Sequence, residues 1–73
     1  MAKGVTIDLK THHGVPVVSG TRIPVARILG SLASGMRQEE LMQEYALSEQ
    51  QIRDAMRYAA QILESEKAYP ISN

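Results

Sequence analysis

Residues 14–24 read Gly-Val-Pro-Val-Val-Ser-Gly-Thr-Arg-Ile-Pro, and this run constrains the fold more than any other part of the chain. Proline fixes its own φ and has no amide hydrogen to donate. Glycine opens backbone conformations that other residues avoid. With Gly14, Pro16, Gly20 and Pro24 interleaved among β-branched residues, few backbone paths remain. Val15, Val17 and Val18 suggest a short strand, and Pro16 confines it to an edge or a bulge. A turn through Gly20, Thr21 and Arg22 should then enter a helix at about Pro24, because a missing N–H costs nothing at a helix start. Arg22 is the one cation at this otherwise apolar entry.

The flanking segments complete the pattern. Val5, Ile7 and Leu9 alternate with Thr6, Asp8 and Lys10, the period of a half-buried strand. Thr11-His12-His13-Gly14 reads as a turn, so the two strands can pair as a hairpin. Val25, Ile28, Leu29 and Leu32 form a helical apolar stripe, with Gly30, Ala33 and Ser34 leaving a neighbouring face small enough for close approach. Gly35 suits a left-handed terminator. A second helix is predicted over about Gln38 to Tyr45, with Leu41, Met42 and Tyr45 inward and Glu39 and Glu40 at its positive end. After the Ala46-Leu47 link, Ser48 and Gln51 form a capping box that opens a third helix. Its expected inner stripe is Ile52, Ala55, Met56, Ala59 and Leu63, with Tyr58 on the outer side. The fold class that follows is mainly α: three helices with a short N-terminal β-hairpin or strand. A single domain covers residues 1–73, with a β-element over 1–23, helices over 24–66 and a loose tail over 67–73.

Composition bounds the function. A chain of 73 residues has a marginal core when it stands alone. It has no cysteine, so neither disulfides nor thiolate metal sites are available. His12 and His13 are the only histidines, and adjacent strand positions cannot both face one ion. Packing alone must hold the fold, no metal or cofactor is expected, and self-association would help. A homodimer through the N-terminal strands is the expected form. No run approaches membrane-spanning length and no signal-peptide pattern opens the chain, so a cytoplasmic protein is expected. Net charge is zero but polarised. Residues 1–38 carry five cations against Asp8 alone, a balance of +4, and residues 39–73 carry three cations against seven carboxylates, a balance of −4. Such polarity fits two partner surfaces, or ordinary solvated helix faces. Zero net charge argues against strong non-specific binding to nucleic acid.

Two helices joined by a short link fit a helix-turn-helix, whose second helix can enter the DNA major groove. Gln50, Arg53 and Arg57 would lie on one outward stripe of that helix. Glutamine can read adenine, and arginine can read guanine or hold phosphate. Glu49 and Asp54 stand beside them and would repel phosphate. The alternative is a mixed polar surface without DNA contact. Thr21, Arg22 and Arg27, with Arg37, are candidates for a basic partner-binding patch. Alternatively Arg22 pins the turn through backbone carbonyls or Asp8. Tyr58, with Met42, Met56, Leu63 and Tyr69, is a candidate apolar contact surface or a packing group. An enzyme is not expected: the chain lacks a cysteine nucleophile, a glycine-rich phosphate loop, paired metal ligands and a serine beside a base.

The run from Gly14 to Val25, followed by Ile28-Leu29 and Leu32-Ala33-Ser34-Gly35-Met36, closely resembles the prokaryotic domain-of-unknown-function family DUF433. Glu39-Glu40-Leu41, Tyr45, Leu47-Ser48, Gln51-Ile52, Ala55 and Tyr58-Ala59-Ala60 are similar to the same pattern, so the resemblance spans about residues 5–64. It implies a homeodomain-like helix-turn-helix with an N-terminal β-element, and the role of a VapB-like antitoxin. The implied partner is a PIN-like nuclease toxin, bound and neutralised. The implied second partner is operator DNA, bound for autorepression. A protein-interaction or dimerisation module without DNA binding is the alternative.

Overall fold

The computed structural model describes residues 3–10 and 13–65. Two strands come first, β1 (Val5–Ile7) and β2 (Pro16–Val18). They pair antiparallel with Val5 opposite Val18, Thr6 opposite Val17 and Ile7 opposite Pro16. Three helices follow: α1 (Val25–Ala33), α2 (Gln38–Tyr45) and α3 (Glu49–Ser65). The expected mainly helical class with an N-terminal hairpin is what forms. The expected tail over 67–73 lies outside the described residues, as do Thr11 and His12 of the expected hairpin turn.

The first strand is shorter than its alternation suggests. Asp8 accepts the Lys10 amide on Oδ1 at 2.9 Å, and its own carbonyl accepts the Gly14 amide at 3.2 Å. Such a side-chain bond two residues ahead starts a turn. Leu9 therefore leaves the pleat and is 79% exposed. Pro16 opens β2, where its missing N–H breaks no ladder bond in the strand interior. The far edge of β2 is also taken. Val18 N–H donates to the Ile23 carbonyl at 2.9 Å, and Val17 bridges to Pro24. Of the two strands, only β1 keeps an outer edge for pairing with another chain, and it is three residues long.

The helix ends follow from local chemistry. Pro24 is the extended residue before α1, and its carbonyl accepts the Arg27 amide at 3.0 Å. At the other end Gly35 has φ of 104°. Its amide reaches Leu32 O at 3.1 Å while the Met36 amide reaches Ser31 O at 3.1 Å, a Schellman closure. Glu40 turns back to accept the Arg37 amide at 2.9 Å, closing the start of α2. Ala46 ends α2 in the left-handed region with φ of 53°. The capping box then forms as the sequence predicts: Gln51 N–H to Ser48 Oγ at 3.1 Å and Ser48 N–H to Gln51 Oε1 at 2.8 Å.

The core joins every element. Val5 and Val18 from the hairpin pack with Val25 and Ile28 of α1, Leu41 of α2, Leu47 of the link, and Ile52 and Ala55 of α3. Ile23, Leu29, Leu32, Met36, Met42, Tyr45 and Tyr58 pack half-buried around them. Three expectations need correction. Met56 and Leu63 are exposed, Leu63 at 72%, because the buried side of α3 runs through Ile52, Ala55 and Tyr58. Tyr58 therefore packs against the core and is not on the outer side. Gly30 receives no close neighbour, since a Cβ built there meets nothing within 4 Å. From Ala60 to Ser65 every residue of α3 is exposed, Ile62 the less so at 41% against 72% for Leu63.

Candidate functional site

Ala46, Leu47 and Ser48 join α2 to α3, and buried Leu47 anchors the link in the core. The two helices touch, giving a helix-turn-helix arrangement with the outer face of α3 open. Gln50, Arg53 and Arg57 are all exposed there, at spacings that share a helix face. Each is held by a carboxylate of the same helix. Arg53 Nη2 lies 2.6 Å from Glu49 Oε1, with both side chains more than half exposed. A pair so solvated contributes about 0–1 kcal/mol, so a competing anion can displace it. Arg57 Nη1 and Gln50 Nε2 both donate to Asp54 Oδ1, at 3.1 and 2.8 Å.

Asp54 has a part that the sequence does not reveal. It stands beside the arginines but is 7% exposed. Its side chain fills the space beside Gly4, where a Cβ would come within 2.7 Å of Asp54 Cγ. Gly4 has φ of 78° and its carbonyl accepts the Ser19 amide at 2.9 Å. Asp54 thus seats the start of β1 on α3. Taking Arg57 away from it would leave a largely buried carboxylate with one fewer donor, so Arg57 is less available than Arg53.

At the basic patch, the turn is pinned by Thr21 and not by Arg22. Thr21 Oγ1 donates to the Val18 carbonyl at 2.7 Å and accepts the Ile23 amide at 3.0 Å. The Thr21 amide adds a bond to Val18 O at 3.0 Å. A short hydroxyl reaches its neighbours' backbone where a long guanidinium overshoots. Arg22 and Arg27 are exposed and form no hydrogen bond or ion pair through their side chains with the described residues. Arg37 is exposed and paired with Glu40 at 3.4 Å, so it adds no free charge to the patch.

A third feature was only partly foreseen. An apolar groove of 320 Å³ lies between the end of the hairpin, α1 and the last turns of α3. Tyr58 and Leu63, both candidates from sequence, line it together with Val15, Pro16, Leu29 and Ile62. Met42 lies instead against the core, and Tyr69 lies outside the described residues. No group of three or more metal-ligating side chains occurs among the described residues, and no helix there is long and apolar enough to cross a membrane.

No curated protein and no solved structure matches the chain. One family model does match, over residues 5–59, from the start of β1 to Ala59 of α3 and short of Ile62 and Leu63. That span takes in the hairpin, the pinned turn, α1 and the helix-turn-helix, and the chain belongs to the family described as protein of unknown function, DUF433.

Proposed function

We propose that this protein is the antitoxin-type half of a toxin–antitoxin pair. It binds and neutralises a PIN-like nuclease, and α3 contacts operator DNA to repress the shared operon. Its membership of the DUF433 family, a likeness that implies a VapB-like role, is what suggests the nuclease partner. The observation that carries the DNA role is the α2–α3 unit, which leaves Gln50, Arg53 and Arg57 on one exposed face of the second helix. Arg53 contacts phosphate or guanine first, since its pair with Glu49 is the more easily exchanged. Neutralisation is by binding, with no chemistry supplied by this chain.

A gel-shift series on the DNA upstream of its own gene, across salt concentrations, tests the DNA role. Retardation that weakens with salt, and that Arg53→Ala and Arg57→Ala abolish while the circular dichroism is retained, supports it. No retardation at low salt refutes it. A protein-interaction module without DNA binding is favoured by one specific observation: all three candidate side chains already have carboxylate partners on α3. In that case the acidic half docks on a basic nuclease surface, and tight nuclease binding persists without any DNA shift.

A further inference from the structure

The apolar groove calls for an occupant. Val15, Pro16, Val25, Ala26, Leu29, Tyr58, Ala59, Ile62 and Leu63 line it, and the Tyr58 hydroxyl is the one polar side-chain group among them. Pockets for small ligands normally add several convergent polar groups. On the hairpin, Ile7 is paired with the groove residue Pro16 and is half exposed, which widens the apolar surface. At the rim stand the last described turns of α3, with Ile62 41% and Leu63 72% exposed. One surface therefore carries a concave apolar groove with exposed apolar side chains of α3 along its rim. Self-complementarity of this kind is what a two-fold interface requires.

Charge selects the partner. Glu64 sits in the last turn of α3, a turn with no basic residue. Arg27 sits in the first turn of α1, a turn with no acidic residue, where the dipole disfavours a cation. Glu64 adjoins Leu63 and Arg27 adjoins Ala26, so each flanks a groove residue. Neither side chain has an ion-pair partner among the described residues. We infer that a second copy of this chain fills the groove. Across a two-fold axis the α3 end of each copy enters the groove of the other. Each Glu64 then meets the other copy's α1 at Arg27, and both charges gain a counter-ion at once. The basic first half of the chain faces the acidic second half, which suits a copy of itself. The edge of β1, three residues long, is a poorer site for pairing. The inference stands independently of the antitoxin role.

Sedimentation equilibrium tests this on the full chain, with Leu63→Glu, Arg27→Glu, Glu64→Arg and the double reversal R27E/E64R. The wild type is expected to dimerise. Leu63→Glu, at an exposed position that leaves the fold intact, should weaken the dimer about 100-fold by placing a charge in an apolar seat. Each single charge reversal should weaken it about tenfold through like-charge contact, and the double reversal should restore it. A wild type still monomeric at about 1 mM overturns the inference, whether the chain's residues 66–73 or a different protein is then found on the groove. A dimer indifferent to Leu63→Glu also overturns it, as does a double reversal no tighter than the single ones.

Discussion

Gly4 and Gly20 provide a matched pair of substitutions. Both are held in the left-handed region, with φ of 78° and 80°. Their surroundings differ: at Gly20 a Cβ meets nothing within 4 Å, whereas at Gly4 it would come within 2.7 Å of both Cβ and Cγ of Asp54. An alanine at either position incurs the backbone penalty of a left-handed residue, about 1–2 kcal/mol. A stiffer unfolded chain offsets about 0.4–1 kcal/mol of that. Gly20→Ala should therefore cost about 1 kcal/mol. Gly4→Ala adds forced displacement of the buried Asp54 side chain, typically about 1–3 kcal/mol for overpacking. Its total of about 2–4 kcal/mol is a large share of the stability of a small domain. At about 4–8 °C per kcal/mol for this size, Gly4→Ala should lower Tm by about 8–32 °C, and Gly20→Ala by about half of that or less. Urea unfolding followed by circular dichroism gives both values. Equal losses at the two glycines, or a Gly4→Ala protein within about 0.5 kcal/mol of wild type, would show that the seat of β1 on Asp54 carries no weight.

Other positions test other parts of the structure. Gly30 lies inside α1 with open space where a Cβ would go, so Gly30→Ala should stabilise the protein by about 0.5–1 kcal/mol; a loss would mean that α1 needs a bare backbone there. Thr21→Ala removes two hydroxyl bonds of the turn and should cost about 1–3 kcal/mol, while Thr21→Ser keeps both partners in reach. Arg22→Ala should change stability by less than about 0.5 kcal/mol in the same assay, and a larger loss would return the pinning role to Arg22. Glu49→Gln releases Arg53 from its ion pair, so the gel shift on upstream DNA should tighten about three- to tenfold at low salt; unchanged affinity would argue against phosphate contact by Arg53.

What the sequence revealed was local. The Ser48–Gln51 capping box and the Gly35 terminator involve groups five residues apart or fewer, and chain order alone brings them together. The glycine- and proline-rich run likewise led to the turn and the helix start, because its backbone restrictions act within each residue. What escaped reading depends on tertiary placement. Periodicity put Leu63 on an apolar stripe of α3, but no periodicity says where the body beneath a helix ends. Asp54 looked like one more surface carboxylate because its neighbour Gly4 comes from the opposite end of the chain. At the turn, a charged residue drew the structural role on paper, yet the hydroxyl beside it was the group short enough to bond the backbone. The groove was half legible: Tyr58 and Leu63 were candidates, while Val15, Pro16, Ala26 and Leu29 joined it only through packing of the hairpin and α1.

The most direct test of the proposed role is an inhibition titration. The protein encoded beside this chain, which the proposed role requires to be a nuclease, is purified alone, and cleavage of RNA by it is followed as this chain is added. Cleavage that falls linearly and stops at equimolar protein, with a stable complex recovered by gel filtration, is the expected result. Undiminished cleavage at saturating excess, with the two proteins eluting apart, would contradict the antitoxin role outright.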